Sequence, residues 1–259
     1  MNWISTTFIA PPALCALFVT IWYALPMIVR WVGVRRLDRR CRRERVLVLT
    51  FDDGPGPRLT PRVLDLLAER SAKATFFCTG FRARRYPGLM DRVVAEGHEV
   101  GTHSSDHLHA WKVAPGWAAR DQRAGARELR PWLPASGLVR PPYGKLTLDC
   151  LLDGLRRKLR FGWWTIVNGE LDEPTGDPGR AAQELRERDG GVVLLHDFDS
   201  GPEREAFVLQ SLTNLIDMAE AADMRIVPLG AVLHSTLELR DDADRPRHAD
   251  DMRPRPIAG

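Results

Sequence analysis

The sequence predicts an α/β fold in which a parallel barrel follows an N-terminal membrane segment. Short apolar runs typical of buried strands alternate with helical stretches along most of the 259 residues. This alternation favours β/α units that close into a parallel sheet, with functional side chains at the C-terminal ends of the strands. The seven strand-like runs lie at 46–51, 74–79, 98–102, 138–140, 161–167, 191–195 and 224–229.

The N-terminal segment, residues 1–29, has no charged side chain and is long enough to cross a bilayer. We expect a transmembrane or membrane-inserted helix over about 8–29, with Trp22, Tyr23 and Trp31 at a membrane interface. A cleaved signal peptide would need basic residues before the apolar stretch and a small-residue cleavage site after it, and the sequence has neither. The alternative is a hydrophobic hairpin packed on the barrel.

The next segment, residues 30–45, reads as an Arg-rich juxtamembrane linker. Its eight Arg against Asp38 and Glu44 give a local charge of +6, so with +3 for the whole chain residues 46–259 carry −3. By the positive-inside rule this cluster stays cytoplasmic, which predicts a single-pass inner-membrane protein whose folded domain faces the cytoplasm. The adjoining apolar span favours a membrane, not a nucleic acid, as the partner of the Arg cluster. Four cysteines without disulfide-like spacing fit a reducing compartment.

Residues 46–238 form the predicted folded domain, and local signals mark several of its helix ends. Thr60 and Asp177, each followed by a proline, predict helix starts, and Gly97 predicts a C-terminal cap. Residues 239–259 are rich in Arg, Asp and Pro with little apolar content, which predicts a disordered charged tail.

The first strand-like run ends in two adjacent carboxylates, Asp52 and Asp53, before a Gly-Pro turn. Because successive strand residues point in opposite directions, a loosened strand end can aim one carboxylate at a proton and the other at a metal. Taken alone, this turn is more often a solvated β-turn, since Asp and Gly suit turn geometry by themselves. The interpretation therefore depends on residues farther along the chain.

Two histidines after the third strand-like run, His103 and His107, have a spacing that lets both imidazoles reach one cation. Two His with one carboxylate, leaving positions open for water and substrate, form a ligand set for a catalytic Zn²⁺, or for Co²⁺, Mn²⁺ or Ni²⁺. The third ligand would be Asp53. The alternative is that both are ordinary surface or core residues in a His-rich stretch that also contains His98 and His109.

Two further polar clusters follow predicted strands, Arg140-Pro141-Pro142-Tyr143-Gly144 and Leu194-Leu195-His196-Asp197. With its blocks in this order, the chain from 46 to about 230 resembles the polysaccharide deacetylase family, also called the chitooligosaccharide deacetylase homology domain or carbohydrate esterase family four. The resemblance implies a distorted (β/α)7 barrel. Read separately, Arg140 is an ordinary strand-end arginine and His196 a hydrogen-bonded core histidine, so the order of the blocks carries the identification.

The resemblance implies a role for each residue of the predicted centre. Asp52 would be the general base that activates the attacking water, while Asp53, His103 and His107 would hold the metal. Arg140 would tether and orient Asp52 and keep it ionised.

Other implied roles concern the acyl group and the leaving amine. His196 would be the general acid that protonates the amine, and the backbone N–H of Tyr143 would stabilise the tetrahedral oxyanion. Leu194 would wall the pocket for the acyl methyl group, and Pro141 and Trp164 would also line the substrate site.

The fourth block of the family pattern is altered in this chain. Aligning Trp164 with the strand tryptophan of the family puts Glu170 where the family has the Asp that orients the acid His, and Leu171 where it has a Trp. Glu170 keeps a carboxylate that can accept a hydrogen bond from His196 and raise its basicity. Asp172 is the rival for this role.

The missing tryptophan removes an aromatic wall of the groove, for which Trp111 or Trp117 is a candidate substitute. We therefore predict metal-dependent removal of an N-acyl group, acetyl or formyl, from an amino sugar in a membrane- or lipid-linked glycan or glycolipid of the bacterial cell envelope. One alternative is an outward-facing peptidoglycan N-acetylglucosamine deacetylase. Another is a catalytically weak, membrane-tethered sugar-binding module.

Overall fold

A parallel sheet forms the centre of the protein in the computed structural model, which describes residues 10–133, 137–171 and 176–233. Its strands within those ranges are β1 (Val46–Asp52), β2 (Thr75–Cys78), β3 (Glu99–Thr102), β4 (Leu138–Val139), β5 (Arg160–Phe161), β6 (Ile166–Val167), β7 (Gly191–His196) and β8 (Arg225–Ile226). The strand order is β5-β4-β3-β2-β1-β7-β6, and β8 pairs with the start of β1. This arrangement confirms the predicted parallel α/β barrel class.

One predicted strand, 161–167, is divided into two short strands. β5 pairs with β4 and β6 pairs with β7, so the two ends of the strand order are joined by residues 162–165. Between them, the carbonyls of Gly162 and Trp163 accept hydrogen bonds from the Arg140 guanidinium. The result is a barrel interrupted on this side, which agrees with the distorted form that the family resemblance implies.

Helices surround the sheet and alternate with its strands. Within the described residues they are α1 (Ala10–Glu44), α2 (Leu59–Glu69), α3 (Gly80–Arg85), α4 (Pro87–Ala95), α5 (Trp117–Glu128), α6 (Leu148–Arg156), α7 (Arg180–Arg188), α8 (Pro202–Ala221) and α9 (Leu229–Val232).

The predicted helix ends are correct in one case and displaced in two. Gly97, with φ of +78°, follows α4 in the left-handed conformation expected after a helix C-terminus. Thr60 lies inside the first turn of α2 and does not cap it, because its hydroxyl donates a hydrogen bond to the Asp197 carboxylate. Asp177 likewise precedes the capping residue of α7, and its carboxylate accepts a hydrogen bond from the Gly179 N–H.

The alternating side chains of β1 point into two separate cores. Leu47 and Leu49 pack in a core with apolar residues of α2, α4, α7 and α8. Val48 lies in the second core, with apolar side chains of β2, β4, β5 and β7. Thr50 and Asp52 continue the side of β1 that carries Val48, since side chains alternate along a strand. The polar site is therefore the C-terminal continuation of this second core.

Helix α1 is a single helix of 35 residues, which covers part of the predicted membrane segment and almost all of the predicted linker. From Leu14 onward it is long and apolar enough to cross a membrane, a property that a membrane span shares with a signal sequence. Its C-terminal part packs on the barrel, where Cys41 is fully buried. Residues 30–44 are therefore helical and in contact with the domain, while 234–238 and the predicted tail, 239–259, lie outside the described residues.

Candidate active site

The predicted site residues meet at the C-terminal end of the sheet. Asp52 ends β1 and lies in register with His196, which ends β7. His103 directly follows β3, and Arg140 directly follows β4. Because parallel strands end at the same edge, residues from distant parts of the chain are brought together there. The structure thus unites the blocks from which the site was predicted.

The buried ion pair between Asp52 and Arg140 is the most constrained part of the site. Arg140 Nη1 donates to Asp52 Oδ1 at 2.6 Å and to Thr50 Oγ1 at 2.9 Å. Nε donates to the Gly162 carbonyl and Nη2 to the Trp163 carbonyl, both at 3.2 Å. Burial lowers the pKa of Arg140, and the neighbouring Asp52 carboxylate opposes this effect. One carboxylate oxygen of Asp52 is thereby held, while Oδ2 is not engaged by Arg140.

Thr50 is a further site residue that the sequence motifs do not predict, although its position in the first strand places it on the same side as Asp52. It stands two residues before Asp52 on the same side of β1, and its hydroxyl donates to the Val193 carbonyl at 2.7 Å while accepting from Arg140. It therefore helps to fix the guanidinium that orients Asp52.

Asp53, His103 and His107 form the predicted metal-ligand cluster. Each offers one ligand atom, and these atoms lie within 4.8 Å of one another. Asp53 Oδ1 is 3.1 Å from His107 Nε2 and 3.4 Å from His103 Nε2. Asp53 and His107 adopt left-handed backbone conformations, with φ of 67° and 56°, which help to aim their side chains at a common point.

The environment of the three ligands fits a divalent cation. Asp53 Oδ1 is buried without a hydrogen-bond partner among the described residues, so an acceptor is available for an ion. His103 Nδ1 lies 2.8 Å from the Arg140 carbonyl, a contact that favours a proton on Nδ1 and a free lone pair on Nε2. Burial lowers the pKa of His103, which favours the neutral ring that a metal requires. Burial raises the pKa of Asp53, but the close contact with His107 and the other nearby histidines outweigh this effect and hold the pKa below its usual range.

The other two histidines of the His-rich stretch do not join the cluster. His98 is a core residue whose Nδ1 accepts from the Ala74 N–H at 3.2 Å, and burial lowers its pKa to about 4. His109 lies against the ring of Tyr143, with centroids 4.7 Å apart.

His196 and Glu170 form a second, separate pair. His196 Nδ1 is 2.8 Å from Glu170 Oε1, and the Glu170 side chain is buried. Burial alone lowers the pKa of His196, but the hydrogen bond and charge of Glu170, together with the charges of Asp52 and Asp53, raise it overall. Glu170 thus makes the contact expected of the residue that orients the predicted acid, whereas Asp172 lies outside the described residues.

The residues predicted to bind substrate differ in their exposure. Tyr143 is 55% exposed, has φ of +57°, and packs its ring against His107 with centroids 4.6 Å apart. Leu194 and Pro141 are buried. Trp164 is half-buried, with its ring 5.4 Å from the Arg140 guanidinium carbon.

The proposed substitutes for the missing tryptophan lie in different surroundings. Leu171 itself is 41% exposed. Trp111 donates its Nε1–H to the Leu146 carbonyl, close to the loop that carries Tyr143. Trp117 is exposed at the start of α5 and makes its ring contact with Arg120. Trp111 is therefore the one that lies near the predicted substrate loop.

Asp197 is a buried carboxylic acid to which the sequence analysis gave no role. Burial raises its pKa to about 7, and its Oδ2 accepts a hydrogen bond from Thr60 Oγ1 at 2.6 Å. A Cβ at Gly54 would lie 2.1 Å from Asp197 Oδ1, so glycine is required there. Asp197 thus packs directly beneath the turn that carries Asp53.

Comparisons with known proteins agree with this geometry. The polysaccharide deacetylase family model matches residues 39–157. The peptidoglycan-N-acetylglucosamine deacetylase of Bacillus cereus is 31% identical over 196 residues, which cover 73% of this chain and 89% of that relative. The chitooligosaccharide deacetylase of a Bradyrhizobium species is 32% identical over 195 residues, covering 71% and 89%.

A solved structure gives the same result for the fold. The crystal structure of a peptidoglycan N-acetylglucosamine deacetylase superimposes with a TM-score of 0.67 at 24% identity, covering 74% of this chain and 89% of that one. Sequence and fold agree, and this chain belongs to the polysaccharide deacetylase family of hydrolases.

Proposed function

We propose that this protein hydrolyses the acetyl amide of an N-acetylated amino sugar in a metal-dependent reaction. The supporting observation is that a fixed carboxylate, a His-His-Asp ligand cluster and a carboxylate-bound histidine share one edge of the barrel. The activities named for the relatives, deacetylation of peptidoglycan and of chitooligosaccharides, belong to the same reaction class.

Asp53, His103 and His107 would hold Zn²⁺, or Co²⁺, Mn²⁺ or Ni²⁺. The bound ion would supply Lewis-acid chemistry toward the acyl carbonyl and the attacking water. Asp52 accepts a proton from that water through Oδ2, since Arg140 occupies Oδ1. Arg140 also fixes Asp52 in position.

The second half of the reaction depends on Tyr143 and His196. The backbone N–H of Tyr143 stabilises the negative charge that develops on the acyl oxygen. His196, with Glu170 on its Nδ1, donates a proton to the nitrogen as the C–N bond breaks. The products are acetate and a free amine, which gains a positive charge at neutral pH.

We further propose that the substrate is a membrane- or lipid-linked glycan and that the domain faces the cytoplasm. The apolar helix and its Arg cluster support this proposal. The outward-facing alternative, a peptidoglycan deacetylase, is supported by the name of the Bacillus cereus relative. A topology reporter that is active on only one side of the membrane distinguishes them when it is fused after residue 259, because its activity shows on which side the domain lies.

The reaction is tested by acetate release from the detergent-purified protein, stripped of metal and then reloaded with Zn²⁺ or Co²⁺. Lipid-linked N-acetylamino sugars and free chitooligosaccharides are the two substrate sets. We expect release that disappears on stripping and returns on reloading. Acetate release that is independent of metal contradicts the mechanism. If no acetate is released from either substrate set after reloading, the result favours a sugar-binding module.

A further inference from the structure

Helix α1 runs from the catalytic edge of the barrel to its opposite end. Near its C-terminus, the Cys41 backbone packs against Gly190, just before β7 begins. Farther back, Arg30 lies beside Gly144 in the loop that follows β4. Tyr23 packs its ring on Trp111, with centroids 5.7 Å apart, in the segment that follows β3. Residues 10–21 therefore extend beyond the edge at which the active site lies.

The projecting part is mostly apolar, and its residues 14–21 are exposed. Leu14, Leu17 and Phe18 are each more than half exposed. At 1.5 Å per residue, residues 10–21 extend roughly 18 Å from the domain. The helix is continuous between Ala10 and Glu44 although it contains Pro26, and the contact of Tyr23 with Trp111 holds its N-terminal part to the barrel. A bilayer that receives this segment therefore faces the opening of the active site.

Two cations lie near Gly144, Arg30 on the helix and Lys145 in the loop that follows β4. The Arg30 guanidinium carbon lies 5.5 Å from the ring of Trp163 and 5.2 Å from that of Trp164. Lys145 Nζ is 4.3 Å from the ring centroid of Trp111. Within the part of the chain that the structure describes, neither makes an ion pair, and Arg30 Nε is buried without a hydrogen-bond partner.

These cations differ from those at the other end of the helix and lie close to the catalytic groups. Arg40 and Arg42 pair with acidic residues of α1 itself. By contrast, the guanidinium carbons of Arg30 and Arg140 both lie close to the ring of Trp164, at 5.2 Å and 5.4 Å from its centroid. A phosphate bound beside Arg30 would thus lie near a sugar whose acetamido group reaches Asp52.

We propose that Arg30 and Lys145 form a binding site for the phosphate or diphosphate of a lipid-linked N-acetylamino sugar presented at the membrane surface. The inference rests on the proposed deacetylase function and adds to it the group that carries the sugar. Arginine and lysine are the side chains that recognise phosphate, and the tryptophan rings hold both cations in place without neutralising them. The hydrocarbon chain of the carrier would remain in the bilayer beside α1.

The test compares two substrates in the same detergent micelles. One is a polyprenyl-phosphate-linked N-acetylglucosamine, and the other is a neutral alkyl N-acetylglucosaminide of similar hydrocarbon length. The ratio of their kcat/KM values measures recognition of the phosphate. We expect a ratio above one, lowered about tenfold by Arg30→Gln or by Lys145→Gln, since each removes a charge-assisted contact. Arg36→Gln, at an exposed position of the same helix, is the matched control and leaves the ratio unchanged.

Three results contradict the proposed phosphate site. The first is a kcat/KM ratio near one for the unmodified protein, and the second is a ratio that neither variant lowers. The third is that the variants change only the binding of phosphatidylglycerol nanodiscs. The last result would make Arg30 and Lys145 contacts for lipid headgroups. Direct binding of the phosphate-linked lipid separates the two hypotheses. If neither substrate is hydrolysed but binding depends on Arg30, the deacetylase proposal fails and the phosphate site stands.

Discussion

The side of the active site that carries Asp52 is held by more hydrogen bonds than the side that carries His196. On the base side, the Arg140 guanidinium joins Asp52 to Thr50 and to two backbone carbonyls, all of them buried. On the acid side, one contact with Glu170 orients His196, and residues 172–175, just after Glu170, lie outside the described residues.

The difference arises because the barrel itself positions the proposed base, whereas a loop supplies the partner of the proposed acid. The base lies at the end of a central strand, on the side that continues a core, so the fold itself determines its position. The acid is also on a central strand, but its partner comes from the altered fourth block. We therefore expect substitutions on the base side to cause the larger losses, and those on the acid side to change the pH profile and substrate preference.

The largest expected effect is that of Asp52→Asn. This change removes the proton acceptor but keeps the shape, so kcat should fall by about 10²–10⁴-fold with metal content unchanged. Asp53→Asn, the matched substitution one residue later, should instead lose the metal. Metal analysis and acetate release on both variants check this prediction. An Asp52→Asn variant that retains more than a tenth of the activity contradicts the assignment of the base.

Arg140→Met should reduce both activity and stability. Removing the guanidinium leaves Asp52 buried and unpaired, a situation that typically costs about 3–5 kcal/mol in the free energy of unfolding. Denaturant unfolding measures this loss. The double variant Asp52→Asn with Arg140→Met is the control, and it should unfold at a higher denaturant concentration than Arg140→Met alone. Equal stability of the two variants would show that the ion pair is not the cause.

The proposed base and most of the proposed metal ligands could be predicted from sequence because they follow strands. Asp52, Asp53 and His103 come directly after apolar runs, and the parallel topology that these runs predict requires their ends to meet. Glu170 was predicted only by aligning its segment with the family pattern. Its contact with His196 depends on how the chain crosses from β5 to β6.

Other features could not be predicted because they depend on tertiary packing. The predicted strand 161–167 is divided because Gly162 and Trp163 direct their carbonyls to Arg140, a residue distant in the chain. Thr60 was displaced from its expected capping position by the Asp197 carboxylate. The position of Arg30 beside Gly144 arises from packing of α1 on the barrel, and the charge pattern of the chain carries no signal for it.

On the acid side, Glu170→Gln should move the alkaline limb of the kcat/KM profile. His196 must be protonated to act as an acid, so activity is lost as the pH rises through its pKa. Glu170 raises that pKa, and its neutral amide analogue should therefore shift the alkaline limb to lower pH and leave the acidic limb in place. Glu170→Asp, which keeps the charge, should shift it less. Equal profiles for Glu170→Gln and the unmodified protein would assign the support of His196 to another residue.

The smallest expected effect is that of Leu171→Trp, which restores the aromatic residue that the family has at this position. Leu171 is 41% exposed, so the larger ring can project outward without displacing a packed side chain. A sugar face packed on that ring should lower KM for chitooligosaccharides by about two- to tenfold, with kcat little changed. Leu155→Trp, at a similarly exposed site on α6, is the control and should leave KM unchanged. If Leu171→Trp and Leu155→Trp change KM to the same extent, residue 171 does not face the substrate.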